Sequence, residues 1–376
     1  MSSNLRVPVS EPTLSEVERN YLMAAYDSGW ISSLGEFLEL TAESLSRKLN
    51  LEHVALTSNG TTALHLALLA LDIGSGDEVL VQDLSYVAVP NAVQYVGAKP
   101  ILVDVEPQTL GFNLQQLENS IGPRTKAIIL VHNYGFVSDV SKVAAFARER
   151  GIYLIEDCAE ASFHVTSLGM TGTFGDLSIY SFFGNKLITS GEGGAVASNN
   201  GPLIERVNYL KNQGAIQGRR FEFDEVGYNF RMTNLQAALL LGQLERLPEF
   251  IAARARVFSV YEDSFKDQPF VDQGLYVSHN GVSPWMYSLR LVDELGIQER
   301  DFIIASLAQV GIESRPYFQP HSVSKRFEHE FKSFPTSTSV STRSLNLPTF
   351  SHMTDEQIEL VVREVKYALG QFSIRS

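Results

Sequence analysis

Short apolar runs alternate with stretches of helical periodicity over roughly the first two hundred residues of the chain. The apolar runs are HVALTS (53–58), EVLV (78–81), PILVDV (100–105), KAIILVH (126–132), IYLIED (152–157) and LSIYSFF (177–183). The helix-like stretches between them include 61–72, 86–96, 114–120 and 139–150. Strands that are apolar on both faces and separated by helices indicate a mainly parallel sheet covered by helices on two sides. The pattern therefore predicts an α/β fold.

The pattern becomes sparser in the last third of the chain. A long helical pattern runs from Thr233 to about Asp263, and Pro248 should break or kink it. The later elements are a strand at 285–292, a helix near 298–310, the segment 311–318 and a last helix over about 354–370. The Ser/Thr-rich stretch 333–344 is predicted to be a surface loop. We place a domain boundary near residue 245, which gives a large α/β domain (1–245) and a smaller C-terminal α/β domain (246–376).

Composition and charge restrict the class of protein. Hydrophobic residues make up 44% of the 376 positions, and no apolar run approaches the roughly 20 residues that span a bilayer. The net charge of −13 opposes non-specific attraction to nucleic acid. The N-terminus lacks a signal-peptide pattern, and the lone Cys158 cannot form an internal disulfide. We therefore expect a cytoplasmic protein that binds neither membranes nor nucleic acid.

Two strand-to-helix junctions carry polar groups that are unusual at such a position. In open α/β sheets, ligands bind beyond the carboxyl ends of the strands. In TSNGTTALHLALLAL (57–71), Gly60 and Thr61 open a strong helix, whose N-terminus suits either a phosphate group or an ordinary helix cap. The Walker pattern is absent, so a nucleoside triphosphate is not indicated. In IEDCAEA (155–161), Asp157 ends a buried strand. Because a buried carboxylate without a partner is costly, its side chain either binds a metal, caps a helix or pairs with a cation. No His/Cys cluster at metal-ligand spacing supports the metal, and we expect none.

Two further junctions place a lysine and an aromatic ring near the same edge. Lys186 in SFFGNKLITSGEGG follows a probable buried strand and precedes a glycine-rich loop. A lone lysine is ordinarily a solvated surface charge, but a desolvated one has a lowered pKa and becomes a usable nucleophile and base. Tyr86, between a strand and a helix, either packs in the core or stacks on a planar cofactor. The four signals together fit pyridoxal phosphate, which needs a lysine, an acid at the ring nitrogen, a phosphate cradle and a ring stack.

The ordered set of motifs resembles the DegT/DnrJ/EryC1/StrS family of sugar aminotransferases across essentially the whole chain. The motifs are SNGTTALHLAL, EDCAEA, GDLSIYSFFGNKLITSGEGGAV and VGYNFRMTNLQAA. The resemblance implies a pyridoxal-phosphate-dependent aminotransferase of fold type I. It also implies a homodimer in which each active site is built at the subunit interface.

The resemblance also implies roles for individual residues. Lys186 would be the lysine that carries the cofactor and shuttles protons, and Asp157 would pair with the pyridine nitrogen. Tyr86 would stack on the ring, and Glu160, where many family members have Gln, would lie near the phenolic oxygen. The implied phosphate contacts are Gly60, Thr61 and Ser181, with Asn229 reaching in from the other subunit.

The segments WISSLGEFL (30–38), SFFGNK, GYNFRMTN and WMYSLRL are most similar to members that act on a GDP-linked ketosugar. The resemblance therefore implies amino transfer from glutamate, which leaves 2-oxoglutarate, to GDP-4-keto-6-deoxymannose for lipopolysaccharide O-antigen. A UDP- or dTDP-linked 3- or 4-ketosugar is the alternative acceptor. A sugar dehydratase is disfavoured because that subgroup has histidine at the position of Lys186. A non-catalytic regulatory protein is also disfavoured, because it would be expected to lose the lysine, the acid or the phosphate loop, and this chain has all three.

Arginines and two further side chains near the expected site have two interpretations each. Arg219, Arg220 and Arg231 flank the interface motif, and one or more of them either meets the sugar nucleotide's diphosphate or forms ordinary salt bridges. His321 and Trp285 either border the sugar pocket or simply pack.

Overall fold

The computed structural model describes residues 7–272, 283–327 and 333–372. Its helices are α1 Glu16–Asp27, α2 Glu36–Leu49, α3 Gly60–Ala70, α4 Ala88–Tyr95, α5 Leu114–Asn119, α6 Val140–Arg150, α7 Gly201–Lys211, α8 Asn234–Glu245, α9 Leu247–Phe265, α10 Ile297–Gln309, α11 Pro335–Arg343 and α12 Asp355–Leu369. Its strands are β1 His53–Thr57, β2 Glu78–Gln82, β3 Lys99–Val103, β4 Thr125–Val131, β5 Tyr153–Asp157, β6 Val165–Thr166, β7 Gly169–Met170, β8 Leu177–Ser181, β9 Gly194–Ser198, β10 Tyr287–Arg290, β11 Arg315–Pro316 and β12 Ser344–Leu347.

The central sheet has seven strands in the order β1-β9-β8-β5-β4-β2-β3. Strand β9 runs antiparallel to both of its neighbours, and the other pairs are parallel. The predicted α/β fold with a mainly parallel sheet is confirmed. The carboxyl ends of β5 and β8 therefore lie side by side, which brings the residues that follow them to one edge.

Helices cover both faces of this sheet because alternate residues of the central strands point into different cores. In β2, Val79 and Val81 join a core with α3, α4 and α7, whereas Leu80 joins another core with α5 and α6. A third core packs α1, α2 and α8 against the β1, β8 and β9 end of the sheet. The alternation follows from the period-two geometry of a strand and explains why both faces of these strands are apolar.

The long helical pattern is broken beside Pro248, as predicted: α8 ends at Glu245 and α9 begins at Leu247. The first turns of α9 pack in the third core through Phe250, whereas Val257 and Tyr261 belong to a separate core with α10, α12 and the three-stranded sheet β10-β12-β11. Helix α9 thus links the two parts of the chain, and the domain boundary near residue 245 remains a prediction.

The predicted surface loop at 333–344 is wrong, because Pro335–Arg343 forms helix α11. The buried Asp104 carboxylate caps this helix, accepting hydrogen bonds from the Thr336 N–H (3.0 Å) and the Ser337 N–H (2.8 Å). Burial of Val340 on the inner face then stabilises a sequence of low helix propensity. Among the described residues, no helix is both long and apolar enough to cross a membrane.

Candidate active site

A cavity of about 420 Å³ lies beyond the carboxyl ends of β5 and β8. Seven of the predicted site residues line it: Gly60, Thr61, Tyr86, Asp157, Glu160, Ser181 and Lys186. The eighth, Asn229, is exposed outside the cavity lining, where its side-chain oxygen accepts a hydrogen bond from Arg231 Nε at 3.0 Å. Residues more than 120 positions apart along the chain therefore meet in one cavity.

The start of helix α3 forms one end of the cavity. Asn59 caps the helix by accepting a hydrogen bond from the Thr62 N–H at 2.9 Å, and a reciprocal contact from Thr62 completes a capping box. Gly60 packs so tightly that a Cβ there would lie 2.9 Å from Ser181 Cβ. The close approach holds the helix N-terminus against the end of β8, and its free N–H groups suit an anion.

Asp157 lies at the end of β5 and is 5% exposed. Its carboxylate accepts a hydrogen bond from the Ala159 N–H at 3.0 Å. Burial raises the pKa of this carboxyl, and the Ala159 hydrogen bond and the nearby charge of Lys186 oppose that shift. An acid in this environment is stabilised in its charged form by a cationic partner in the cavity.

Lys186 and Glu160 face each other within the cavity, with 3.7 Å between Lys186 Nζ and Glu160 Oε1. Burial lowers the pKa of Lys186, against the charges of Glu160 and Asp157. Burial also raises the pKa of Glu160 to about 7, although the Lys186 charge and a 2.7 Å hydrogen bond from the Tyr134 N–H favour its ionised form. Burial thus brings the pKa values of the amine and the carboxyl closer together, which favours proton exchange between them.

The pH dependence of stability should report on Glu160. Its pKa in the folded chain lies above the ordinary 4.5, so its contribution is fully present below about pH 4.5 and is lost as the pH rises through about 7. The contribution is at most about 3 kcal/mol. Melting temperatures of the cofactor-free protein at pH 5 and pH 8 should therefore differ less in Glu160→Gln than in the wild type. An equal difference in both proteins would contradict the assignment.

Tyr86 lies at the mouth of the cavity and is 54% exposed, so it is not a core residue. Its ring centroid lies 5.5 Å from that of Phe318, at a tilt of 52°. The ring thus retains exposed surface at the mouth of the cavity.

The sequence did not predict the wall of the cavity that comes from the C-terminal part of the chain. Trp285, for which the sequence allows two interpretations, lies in the lining together with Met286, Arg315, Phe318 and Asn346. His321 is buried outside the lining, where its Nε2 is 2.9 Å from Ser85 Oγ. Arg219 forms a surface ion pair with Glu222, and Arg231 contacts Asn212 and Asn229 within the same protomer.

Among the described residues, one cluster has the composition of a metal site. His132, Glu156 and Cys158 are buried with their ligand atoms within 4.8 Å of one another, which the sequence spacing did not reveal. The Glu156 oxygens already accept hydrogen bonds from the N–H groups of Gly172, Phe174 and Gly175, and Oε2 is also 3.2 Å from His132 Nε2. These contacts give the carboxylate a structural role, the support of the turn before β8.

Comparison with known proteins identifies the family. Residues 12–366 match the DegT/DnrJ/EryC1/StrS aminotransferase family. The chain belongs to this family. It is therefore a pyridoxal-phosphate-dependent aminotransferase, and the expected family, enzyme class and cofactor are confirmed.

Individual relatives match over nearly their whole lengths. A GDP-perosamine synthase of Vibrio cholerae is 40% identical over 364 residues, which cover 96% of this chain and 98% of that protein. A GDP-perosamine synthase of Caulobacter vibrioides is 40% identical over 371 residues, covering 98% and 100%. The crystal structure of the aminotransferase TlmJ from Streptoalloteichus hindustanus superposes with a TM-score of 0.91 at 28% identity, covering 97% of this chain and 99% of that chain.

Proposed function

We propose that this aminotransferase moves the amino group of glutamate to the C4 carbonyl of GDP-4-keto-6-deoxymannose and so forms GDP-perosamine. The curated relatives named for that product match almost the full chain at 40% identity. The observation that carries the catalytic part is the convergence of Lys186, Asp157 and Glu160 in one cavity beside a helix N-terminus. We further propose a cytoplasmic location, where glutamate and sugar nucleotides are available.

The cavity fits pyridoxal phosphate by its donors and its shape. The N-terminus of α3, with Gly60, Thr61 and Ser181, would hold the phosphate, and Asp157 would hold the protonated ring nitrogen. Tyr86 has an exposed ring face for stacking. Asn185 Oδ1 in the lining is buried without a hydrogen-bond partner among the described residues, which leaves an acceptor for a bound molecule. When bound, the cofactor supplies an electron sink for the pair released as a Cα–H bond breaks.

Lys186 would serve as both anchor and base. Burial lowers its pKa, which favours the neutral amine, and a neutral amine can remove the α-proton of glutamate. Glu160, whose pKa is about 7, would accept or return a proton at Nζ. Asp157 would remain ionised against the cationic ring nitrogen, because a salt bridge there would offset its burial.

A close contact behind the phosphate cradle offers a test of that part of the site. A Cβ on Gly194 would lie 2.5 Å from the backbone carbonyl of Asn59 and 2.8 Å from the Gly60 nitrogen. Gly194→Ala should therefore displace the helix N-terminus and weaken cofactor binding by about tenfold or more, as measured by spectrophotometric titration. Gly184→Ala is the matched control, because nothing lies within 4 Å of its Cβ position. Equal weakening in both variants would contradict the cradle.

We also propose a homodimer with shared active sites, in which Asn229 of one protomer completes the phosphate site of the other. The segment before it exposes large apolar side chains, with Phe221 80% and Val226 78% accessible in the single chain. Exposed apolar groups of this size indicate an interaction surface. Arg219 and Arg220 lie on the same segment and would approach the diphosphate or its surroundings in the neighbouring site.

The deciding experiment is an assay of amino transfer from glutamate against GDP-, UDP- and dTDP-linked 3- and 4-ketosugars. We expect GDP-4-keto-6-deoxymannose to give the highest kcat/KM and a 4-amino product by mass spectrometry and NMR. Preference for a UDP- or dTDP-linked sugar would overturn the substrate. Glutamate alone should convert the yellow cofactor to its pyridoxamine form; failure of that conversion would favour a non-catalytic protein.

A further inference from the structure

The indole of Trp285 contacts the amine of Lys186, and this contact has features beyond ordinary core packing. It is 4% exposed, and its ring centroid lies 4.2 Å from Lys186 Nζ. Glu160 Oε1 lies 3.7 Å from the same ammonium. The amine therefore has two neighbours of different chemistry, a carboxylate and the face of an indole, and both favour its protonated form.

Three hydrogen bonds fix the indole relative to the backbone of the lysine. Trp285 Nε1 donates to the Asn185 carbonyl at 2.9 Å. Arg254 on α9 donates from one guanidinium nitrogen to the Trp285 carbonyl at 2.7 Å and from another to the Lys186 carbonyl at 3.0 Å. Arg254 is itself buried, and a planar, forked donor is needed to reach both carbonyls at once. The ring thus cannot move away from the lysine without breaking these contacts.

We propose that Trp285, held by Arg254 and Asn185, and Glu160 form a resting site for the Lys186 ammonium while the lysine is not bonded to the cofactor. The inference rests on the proposed role of Lys186. A freed amine that has taken up a proton is a buried cation, which is costly without compensation. Asp157 would pair with the ring nitrogen, which leaves Glu160 and the indole face as the groups beside Nζ.

The indole suits this task because it stabilises a cation without taking its proton. A second carboxylate in the same place would raise the pKa of Lys186 further and keep the amine protonated. A cation–π contact is weaker than a buried ion pair, so the lysine remains able to return its proton. Trp285 is thus a positioning residue that tunes the proton affinity of the catalytic lysine.

The fluorescence of Trp285 tests the inference without cofactor or sugar. The chain has two tryptophans, and the other, Trp30, is exposed on the surface. In full-length, cofactor-free Trp30→Phe, the emission of Trp285 should change with pH as the facing ammonium loses its proton. Because the Glu160 carboxyl beside Lys186 also titrates, Lys186 is removed in the Glu160→Gln background. The transition should persist in Trp30→Phe, Glu160→Gln and disappear when Lys186→Met is added. A transition that survives removal of Lys186, or no transition in its presence, would overturn the resting site.

The half-reaction with glutamate supplies an independent readout. Removing cation stabilisation lowers the pKa of the lysine, so Trp285→Leu should shift the acidic limb of the kcat profile down by about one pH unit. Trp285→Phe keeps an aromatic face and should shift it less, and KM for glutamate should change little in either variant. A raised KM with an unshifted profile would show that Trp285 only shapes the pocket. If the sugar assays fail while the fluorescence transition holds, the proposed substrate is wrong and the resting site stands.

Discussion

Lys186→Ala should lose amino transfer by at least about a thousandfold and should bind the cofactor without the yellow absorption of a lysine-bonded form. The variant removes both the covalent anchor and the base from a cavity that has no other lysine and no histidine among its described lining residues. Glutamate-dependent turnover and the visible spectrum of the reconstituted protein measure the two losses separately. Because Lys186 lies at the cavity wall with 13% of its side chain exposed, we expect the fold to tolerate alanine.

Lys211 provides the matched control for this experiment. Burial lowers its pKa to about 8, and its Nζ donates a hydrogen bond to the Leu56 carbonyl at 2.8 Å, outside the cavity lining. Lys211→Met should cost some stability but retain the yellow colour and most of the activity. Loss of colour in this variant and its retention in Lys186→Ala would mean that Lys211, and not Lys186, carries the cofactor.

The parts of the fold that were predictable have strong local patterns. The apolar runs from 53 to 183 each became a strand of the central sheet, because a strand buried on both faces must be apolar throughout. Strand β9, GAVAS, was not predicted, since it is made of small residues that form a strand only when paired between β1 and β8. Helix α11 was missed for a similar reason, because its cap, Asp104, lies 232 positions earlier in the chain.

In the candidate site too, the residues with a local sequence pattern were predictable and the others were not. Asp157 ends β5, and Gly60 and Lys186 follow the ends of β1 and β8, so their convergence follows from the order of the strands in the sheet. Trp285 and Arg254 come from distant segments with no local signature, and only the tertiary structure brings them to Lys186. The Asn229 contact across subunits depends on a second copy of the chain and remains a prediction.

Asp157→Asn should lower catalytic activity without lowering the stability of the cofactor-free protein. An amide cannot hold a positive charge at the ring nitrogen, so kcat should fall by about a hundredfold to a thousandfold, while the cofactor still binds. The amide oxygen can keep the hydrogen bond from the Ala159 N–H. Because burial raises the pKa of Asp157, its carboxylate is costly in the cofactor-free protein, and the melting temperature of the variant at pH 8 should be unchanged or higher.

Asp176→Asn is the matched control and should show the opposite behaviour. The Asp176 carboxylate accepts a hydrogen bond from the Leu154 N–H at 2.8 Å, at the far end of β5 from Asp157. A neutral amide accepts this hydrogen bond more weakly than the carboxylate, so the melting temperature should fall. The kcat should be nearly unchanged, since Asp176 does not line the cavity. If Asp157→Asn keeps full activity, or loses activity only through unfolding, then the acid at the end of β5 does not hold the ring nitrogen. The electron sink would then need a different partner in the cavity.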